Sequence, residues 1–285
     1  MPSGQWWIRI WEFPRVQLAA LVLVPLALTG GHAWRTRWRI EHGVLAAVAL
    51  VVACWHLWHI LPFTPLWPTE VPHAGESNSQ TFRVLTLNID FENSRHEEVL
   101  QVVQNQDADL VLLLEVDEAW NKTLTPLDQQ YPNRVGVVRG EGLGIILWSR
   151  FPLREKQVQH LVSSRRASVF VTCELPGVGP LRYVGLHPTP PALKDRIEHN
   201  QLADERRDSR VRDAELVLVA REVRKDPDQR WLVTGDFNDV AWSRTTRLFK
   251  DLSDLKDPRV GRRLLNTYHA QRPLWRYPID HVFVS

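Results

Sequence analysis

The sequence predicts an α/β domain placed behind two long apolar helices. Two apolar runs, residues 16–34 and 44–61, lie near the start of the chain and a proline-rich stretch follows them. From Phe82 onward, apolar runs of strand length alternate with segments of helical periodicity. Polar residues recur at the boundaries of those strand-like runs, at Asn88, Glu115, His187, Asp236 and Asp280.

At 285 residues the chain has room for one domain of about 200 residues and a further segment. Its charge is close to balanced. Five of the 35 basic and four of the 33 acidic residues precede Arg83, which leaves 35 − 5 = 30 against 33 − 4 = 29. That remainder makes no bulk electrostatic case for nucleic acid. Cys54 and Cys173 lack the spacing of a metal site, and no intramolecular disulfide is expected between them.

Each apolar run is long enough for a membrane helix, and Pro25 is tolerated inside the first. Eight of the 13 tryptophans (Trp6, Trp7, Trp11, Trp34, Trp38, Trp55, Trp58 and Trp67) precede residue 70, and most flank the runs as an interfacial belt does. A buried helical hairpin is the alternative. A cleavable signal peptide fits less well, because a second run follows the first. His56 and His59, at the end of the second run, read as interfacial residues rather than a metal pair. Between the runs lie Arg35, Arg37 and Arg39, and after the second no Lys or Arg occurs until Arg83. The positive-inside bias puts that loop in the cytoplasm and the C-terminal domain outside, although Arg9 and Arg15 pull the other way. The chain thus divides into an anchor over 1–61, an extended linker over 62–80 and a domain over 81–285.

Within the domain, FRVLTLNID reads as a strand that ends at Asn88. Ser94 and Glu97 form a capping-box signature for the helix that follows. DADLVLLLEVDE is apolar enough for a strand buried on both faces, and it ends at Glu115. A helix is expected to start around Asp117 to Trp120. If the two strands are neighbours, their helical crossover brings Asn88 and Glu115 to one rim. Strands are expected at 135–138, 143–148, 158–162, 167–175 and 181–186, with a hairpin turn at RGEGLG and His187 just past the last. A polar helix over 196–224, the strand WLVTGD, a helix containing Leu248 and Phe249, and the strand PIDHVFVS complete the order.

WLVTGDFND carries the most chemistry. Gly235 allows a turn or a close approach, so Asp236 and Asn238 can project from the strand end into a cleft. Two residues apart on extended backbone, they would point the same way. An oxygen-only pair suits Mg2+, or a phosphate and the water that attacks it. Each polar strand-end residue has an ordinary explanation alone, as turn former, helix-start acid, loop histidine or strand-edge acid. Their joint recurrence is what points to a site. Arg165, Arg166, Arg206, Arg207, Arg210 and Arg212 could meet phosphates, though on so acidic a helix a solvated face is the commoner role.

TLNID, LLLEVDE, GLHPTPP, GDFND and PIDHVFVS, in that order, resemble the endonuclease/exonuclease/phosphatase superfamily from residue 82 onward. The HPTPP form and the apolar N terminus look most like a bacterial membrane-anchored branch. The resemblance implies a four-layer α/β sandwich in which two packed mixed sheets are flanked by helices. It implies that Glu115, with Asn88, holds Mg2+, with Mn2+ as the alternative. Asn88 and His187 would bind phosphate oxygens, Asp236 would align or deprotonate water, Asn238 would fix that water, and Asp280 would orient a catalytic histidine. A membrane-anchored phosphodiesterase, first of all a nuclease, facing outward from a bacterial membrane, is the function implied. A sphingomyelinase-like or phosphoinositide phosphatase-like enzyme is the alternative, and a non-catalytic anchored binding domain the third reading. No obligate protein partner is implied. The family's closing Asp-His pair has no counterpart before Ser285, since His281 follows Asp280 within a strand and should face the other way. The expectation is a chain that stops short of its last strand and catalytic histidine, and is impaired as it stands.

Overall fold

A computed structural model describes residues 6–36, 39–73, 81–190 and 209–285. A short helix, α1 (Trp6–Arg9), leads through a 3-10 turn into α2 (Arg15–Thr36), and α3 (Ile40–Ile60) packs back against it. Both long helices overrun the apolar runs at their loop ends, because a started helix continues through polar residues that keep its hydrogen-bond ladder. Length and composition qualify them as membrane spans, and little of their surface is buried by the rest of the protein.

Two sheets carry the domain. The first contains β1 (Val84–Asn88), β2 (Leu110–Leu114), β3 (Asn133–Val137) and β4 (Ile145–Ser149), in the order β1-β2-β4-β3. The second contains β5 (Leu153–Gln159), β6 (Ser168–Leu175), β7 (Gly179–Leu186), β8 (Trp231–Asp236) and β9 (Asp280–Val284), in sequence order. Helices α4 (His96–Gln106) and α5 (Glu118–Thr123) cover one sheet; α6 (Leu127–Gln130) follows them, and α7 (Arg210–Lys225) and α8 (Arg244–Ser253) cover the other.

The period-2 alternation of a strand explains the layering. Leu110, Leu112 and Leu114 of β2 face the other sheet, among Val169, Cys173 and Tyr183. Val111 and Leu113 face outward, against Leu100 and Val103 of α4 and Trp120 of α5. Each such buried side chain is worth roughly 2 kcal/mol of transfer free energy. On the second sheet, Val184, Val233 and Phe283 pack beneath Leu216, Val219 and Phe249. The result is the four-layer sandwich.

Local details differ from the sequence reading. The helix expected from Ser94 starts at His96, with no side-chain cap at Arg95; Asn93 Oδ1 accepts from Arg95 N in the turn before it. The strand expected over 158–162 runs instead from Leu153 to Gln159, an exposed edge whose pairing with β6 is interrupted by a bulge. Burial cannot impose an alternation on such a strand. The first half of the helix expected over 196–224 lies outside the described residues. The proline-rich stretch after α3 is more than a spacer where it is described. Phe63 and Trp67 pack with Val240, Trp242 and Ile279, Gly261 N donates to Pro62 O, and Glu70 pairs with Lys250.

β7 and β8 run parallel, with Leu186 opposite Gly235. A Cβ on Gly235 would lie 1.9 Å from Leu186 O, and the residue sits at φ +148°. We expect Gly235→Ala to destabilise the protein by on the order of 3 kcal/mol and lower Tm in thermal melts of the full chain; an unchanged Tm would show that the strand pair can shift freely.

Candidate active site

β1 and β2 are parallel neighbours, as are β7 and β8, so four strands end at one rim. That rim carries Asn88 at the end of β1, Glu115 just after β2, His187 just after β7 and Asp236 at the end of β8. β9 enters antiparallel with Asp280 directly opposite Asp236. The five predicted strand-boundary residues therefore share one locus, and Asn238 joins them.

Asn88 is the bridge between the sheets. Its Nδ2 donates to Glu115 Oε1 at 2.9 Å and to Asp236 Oδ2 at 3.1 Å, while its Oδ1 accepts from Asp90 N at 3.0 Å. Glu115 Oε2 accepts from Phe91 N at 3.3 Å. Asn238 does not sit on extended backbone beside Asp236, as the two-residue spacing suggested. The strand has ended, and Asn238 lies at φ 51° in a turn where its N–H donates to Asp236 Oδ1 at 2.8 Å. Its side-chain amide donates to Pro188 O, just past His187. Asp90 (φ 57°) and Glu115 (φ 69°) are also left-handed, so costly backbone conformations collect at this rim.

His187 is buried, and its role follows from its partner. Arginine can only donate, so the 2.9 Å contact from Arg166 makes His187 Nδ1 the acceptor and leaves the proton on Nε2. That Nε2 lies 3.7 Å from Glu115 Oε1. Burial, then the Arg166 charge, holds the imidazole well below its usual pKa. It is a neutral N–H donor aimed at the site, not a base. Arg166 is thus no solvated residue, whereas Arg165 pairs with Glu141 at the surface. Arg206 and Arg207 lie outside the described residues, and Arg210 is exposed.

His281, as its place in the strand required, points away from the rim. Its Nδ1 accepts from Arg259 at 2.7 Å, its Nε2 donates to Asp239 O at 2.9 Å, and its ring stacks on Phe237. Burial and Arg259 push it down to about 3. The same loop is tied to the N terminus. Asp239, 1% exposed, accepts from Arg9 at 3.2 Å and is ion-paired with Arg212 at 3.0 Å, and Arg212 donates to Asn238 O at 2.7 Å. Neither clamp was legible: nothing near Arg9 or Arg212 in sequence marks a distant carboxylate as its partner. Thr267 was missed as well: a loop folds back so that its Oγ1 accepts from Asp280 N at 3.4 Å.

A family model, Endonuclease/Exonuclease/phosphatase family, matches residues 85–285. The chain belongs to this family. No curated protein matches it in sequence. Solved structures share its fold. A Staphylococcus aureus beta toxin mutant with bound magnesium ions aligns at TM-score 0.54 and 16% identity, over 71% of this chain and 83% of the toxin. Sphingomyelinase C from Streptomyces griseocarneus aligns at 0.51 and 15%, over 71% and 83%. An endonuclease/exonuclease/phosphatase protein from Beutenbergia cavernae aligns at 0.52 and 19%, over 72% and 64%.

Members of the family use divalent metals. Among the described residues no three His, Cys, Asp or Glu side chains form a cage for an ion. The donor set nevertheless fits a hard cation that relies on water and substrate oxygens. Glu115 and Asn88 offer oxygen, and Asp280 Oδ1 is buried without a hydrogen-bond partner. Among the described residues, no Lys or Arg side chain pairs directly with these carboxylates. Burial, then Asp280 and later Glu115, pushes Asp236 up to about 8, against the hydrogen bonds from Asn238 and Asn88. Burial raises Asp280 and Glu115 too.

In metal-free protein, Asp236 is protonated in both the folded and the unfolded chain below its ordinary value of 3.8. Between there and about 8 the unfolded chain gives up the proton and the folded chain keeps it, so stability falls as pH rises. We expect Asp236→Asn to remove part of that fall: in EDTA its Tm should exceed that of the wild type by several degrees at pH 8, with the gap closing toward pH 4. Parallel Tm profiles would show that Asp236 is ionised throughout.

Proposed function

We propose that this protein is a membrane-anchored, Mg2+-dependent phosphodiesterase acting on phosphodiester headgroups presented at the membrane surface. The observation that carries the reading is the bond between the site and the anchor. Asp239, on the same loop as Asp236 and Asn238, is ion-paired to Arg9, which lies just ahead of α2. Trp242, at the end of that loop, donates to Glu12 O. With α2 and α3 in a bilayer, these ties hold the catalytic loop at the interface rather than on a flexible tether.

The side chains divide the work by their hydrogen-bond capacity. Asp236 takes the proton of the attacking water, and burial makes it a stronger base than an exposed carboxylate. Asn238 fixes that loop and the water beside it. His187 offers its Nε2 proton to a phosphate oxygen, with Arg166 fixing the tautomer. Asn88 spans both carboxylates and holds the rim together. Glu115, with Asn88 Oδ1, would hold Mg2+, which when bound neutralises charge on the phosphoryl oxygens. Mn2+ would satisfy the same oxygens.

Nucleic acid, first at the sequence level, ranks second here. The domain's charge is balanced, and Arg166 and Arg212, two arginines that might have gripped a backbone, are buried and committed to His187, Asn238 and Asp239. The outward orientation rests on the charge bias of the loops and belongs to the proposal.

The natural full-length protein, reconstituted with Mg2+, should release phosphorylated headgroup from sphingomyelin or phosphatidylcholine vesicles and leave supercoiled plasmid intact. Nicking of plasmid without headgroup release would overturn the lipid reading in favour of the nuclease. Binding of vesicles without turnover would favour the non-catalytic domain. Glu115→Gln and Asp236→Asn should each lower kcat by about a hundredfold or more with an unchanged circular-dichroism spectrum, and near-wild-type turnover by either variant would refute the site.

A further inference from the structure

The segment between Asp257 and Asp280 holds five arginines and no acid. Two of the five are committed to the protein itself. Arg259 pairs with Asp257, and Arg262 donates to Pro258 O and Val71 O. Arg263, Arg272 and Arg276 are exposed. Leu265, Tyr268, Leu274 and Trp275 are exposed along the same loop, Leu274 to 80%. Single apolar residues on a surface need no explanation. Adjacent ones at the tip of an ordered loop do.

Backbone bonds hold that tip in shape. The N–H groups of Thr267 and Tyr268 both donate to Tyr277 O, and His269 N donates to Trp275 O at 3.2 Å. A 3-10 turn over Pro273–Trp275 follows, with none of its residues buried. Two further ties fix where the loop stands. At its base, Thr267 Oγ1 accepts from Asp280 N, which joins the loop to the carboxylate rim. At its tip, Gln17 Nε2 donates to Leu274 O at 2.7 Å, while Phe13 meets Tyr277 edge-to-face at 5.5 Å. Gln17 is the third residue of α2, about 3 Å along the axis from the helix start. Where α2 enters a bilayer, Leu274 therefore stands at the same level.

We propose that the loop over 265–276 docks on the lipid leaflet beside the domain, with Leu274 and Trp275 at the boundary between headgroups and acyl chains and Arg272 and Arg276 against anionic headgroups. Indoles prefer that depth, and an exposed leucine gains by leaving water. Basic residues near an anionic surface add to the attraction. Arg276 also donates to Ala270 O at 2.6 Å, a contact that does not offset its charge. A soluble protein partner would leave the loop's tie to the first turn of α2 without a purpose. The proposal rests on α2 and α3 spanning a membrane. It deepens the headgroup reading by naming the surface that meets the lipid, one hydrogen bond away from Asp280.

The test uses the full chain in nanodiscs, with a single fluorophore that reports its surroundings. Leu274→Cys is labelled with nitrobenzoxadiazole in a Cys54→Ser background, Cys173 being buried. Gln229→Cys, exposed two residues before β8 at the end away from the rim, is the control. The label at 274 should emit to the blue of the control and lose about half its intensity to nitroxide-bearing lipid, against almost none at 229. Adding phosphatidylglycerol to phosphatidylcholine should deepen that quenching, and Arg272→Gln with Arg276→Gln should abolish the gain; indifference to phosphatidylglycerol overturns the part given to the arginines. A label at 274 that stays in water overturns the docking. One shifted to the blue yet unquenched overturns the lipid assignment in favour of a protein surface. Leu274→Ser with Trp275→Ser should raise KM for vesicle-borne headgroups about tenfold and leave turnover of a soluble phosphodiester unchanged; an equal loss on both substrates overturns the docking in favour of a loop that shapes the rim. Quenching at 274 without turnover of either substrate sinks the phosphodiesterase reading and supports the docking. Release of the wild-type chain from membranes by alkaline carbonate overturns the anchoring and the docking with it.

Discussion

Three carboxylates at one strand rim, two of them joined by the Asn88 amide and, among the described residues, none ion-paired to a Lys or Arg, are the constraint around which the domain is built. Asp236 and Asp280 face each other across β8 and β9, and Glu115 reaches the same place from the other sheet through Asn88. A fold maximising stability alone would not gather them, because burial and mutual repulsion both oppose ionisation. The strain at Glu115 and Asn238 belongs to the same pattern. Such costs are sustained by the leucine-rich core between the sheets.

The two histidines show how neighbours assign roles to identical side chains. Each is buried, each accepts from an arginine at Nδ1, and each therefore carries its proton on Nε2. His187 turns that proton toward the carboxylate rim, 3.7 Å from Glu115 Oε1. His281 turns it onto Asp239 O, under the loop that carries Asn238, and serves structure. The difference is one of strand face, set by the alternation of extended backbone.

The segments flanking the N-terminal helices pack directly against the domain. The segment before α2 reaches Asp239, Trp242 and Thr245, and the segment after α3 reaches Val240, Val260 and Lys250. Each leaves its helix at the same end of the hairpin, so the domain is gripped from two sides. That geometry ties the loop of Asp236 and Asn238 to the start of α2.

Some of this was written in the chain itself. The uninterrupted run at Leu110–Leu114 demanded burial on both faces, and the polar residue closing each strand demanded a shared rim, because parallel neighbours end together. Asn88, Glu115, His187, Asp236 and Asp280 were therefore legible as a set. The left-handed turn at Asn238 was not, since a two-residue spacing reads as extended backbone until the strand's end is known. Nor was the packing of the segment after α3, where prolines without periodicity hide contacts made by Phe63, Trp67 and Glu70 with residues far along the chain. Sequence determined the strand pattern, the apolar helices and the donor types, because these follow from local periodicity and chemistry. Tertiary structure alone decided that Arg166 fixes a histidine tautomer, that Arg9 and Arg212 share one carboxylate, and that Glu70 meets Lys250, because such pairings depend on which distant segments the folded chain brings into contact.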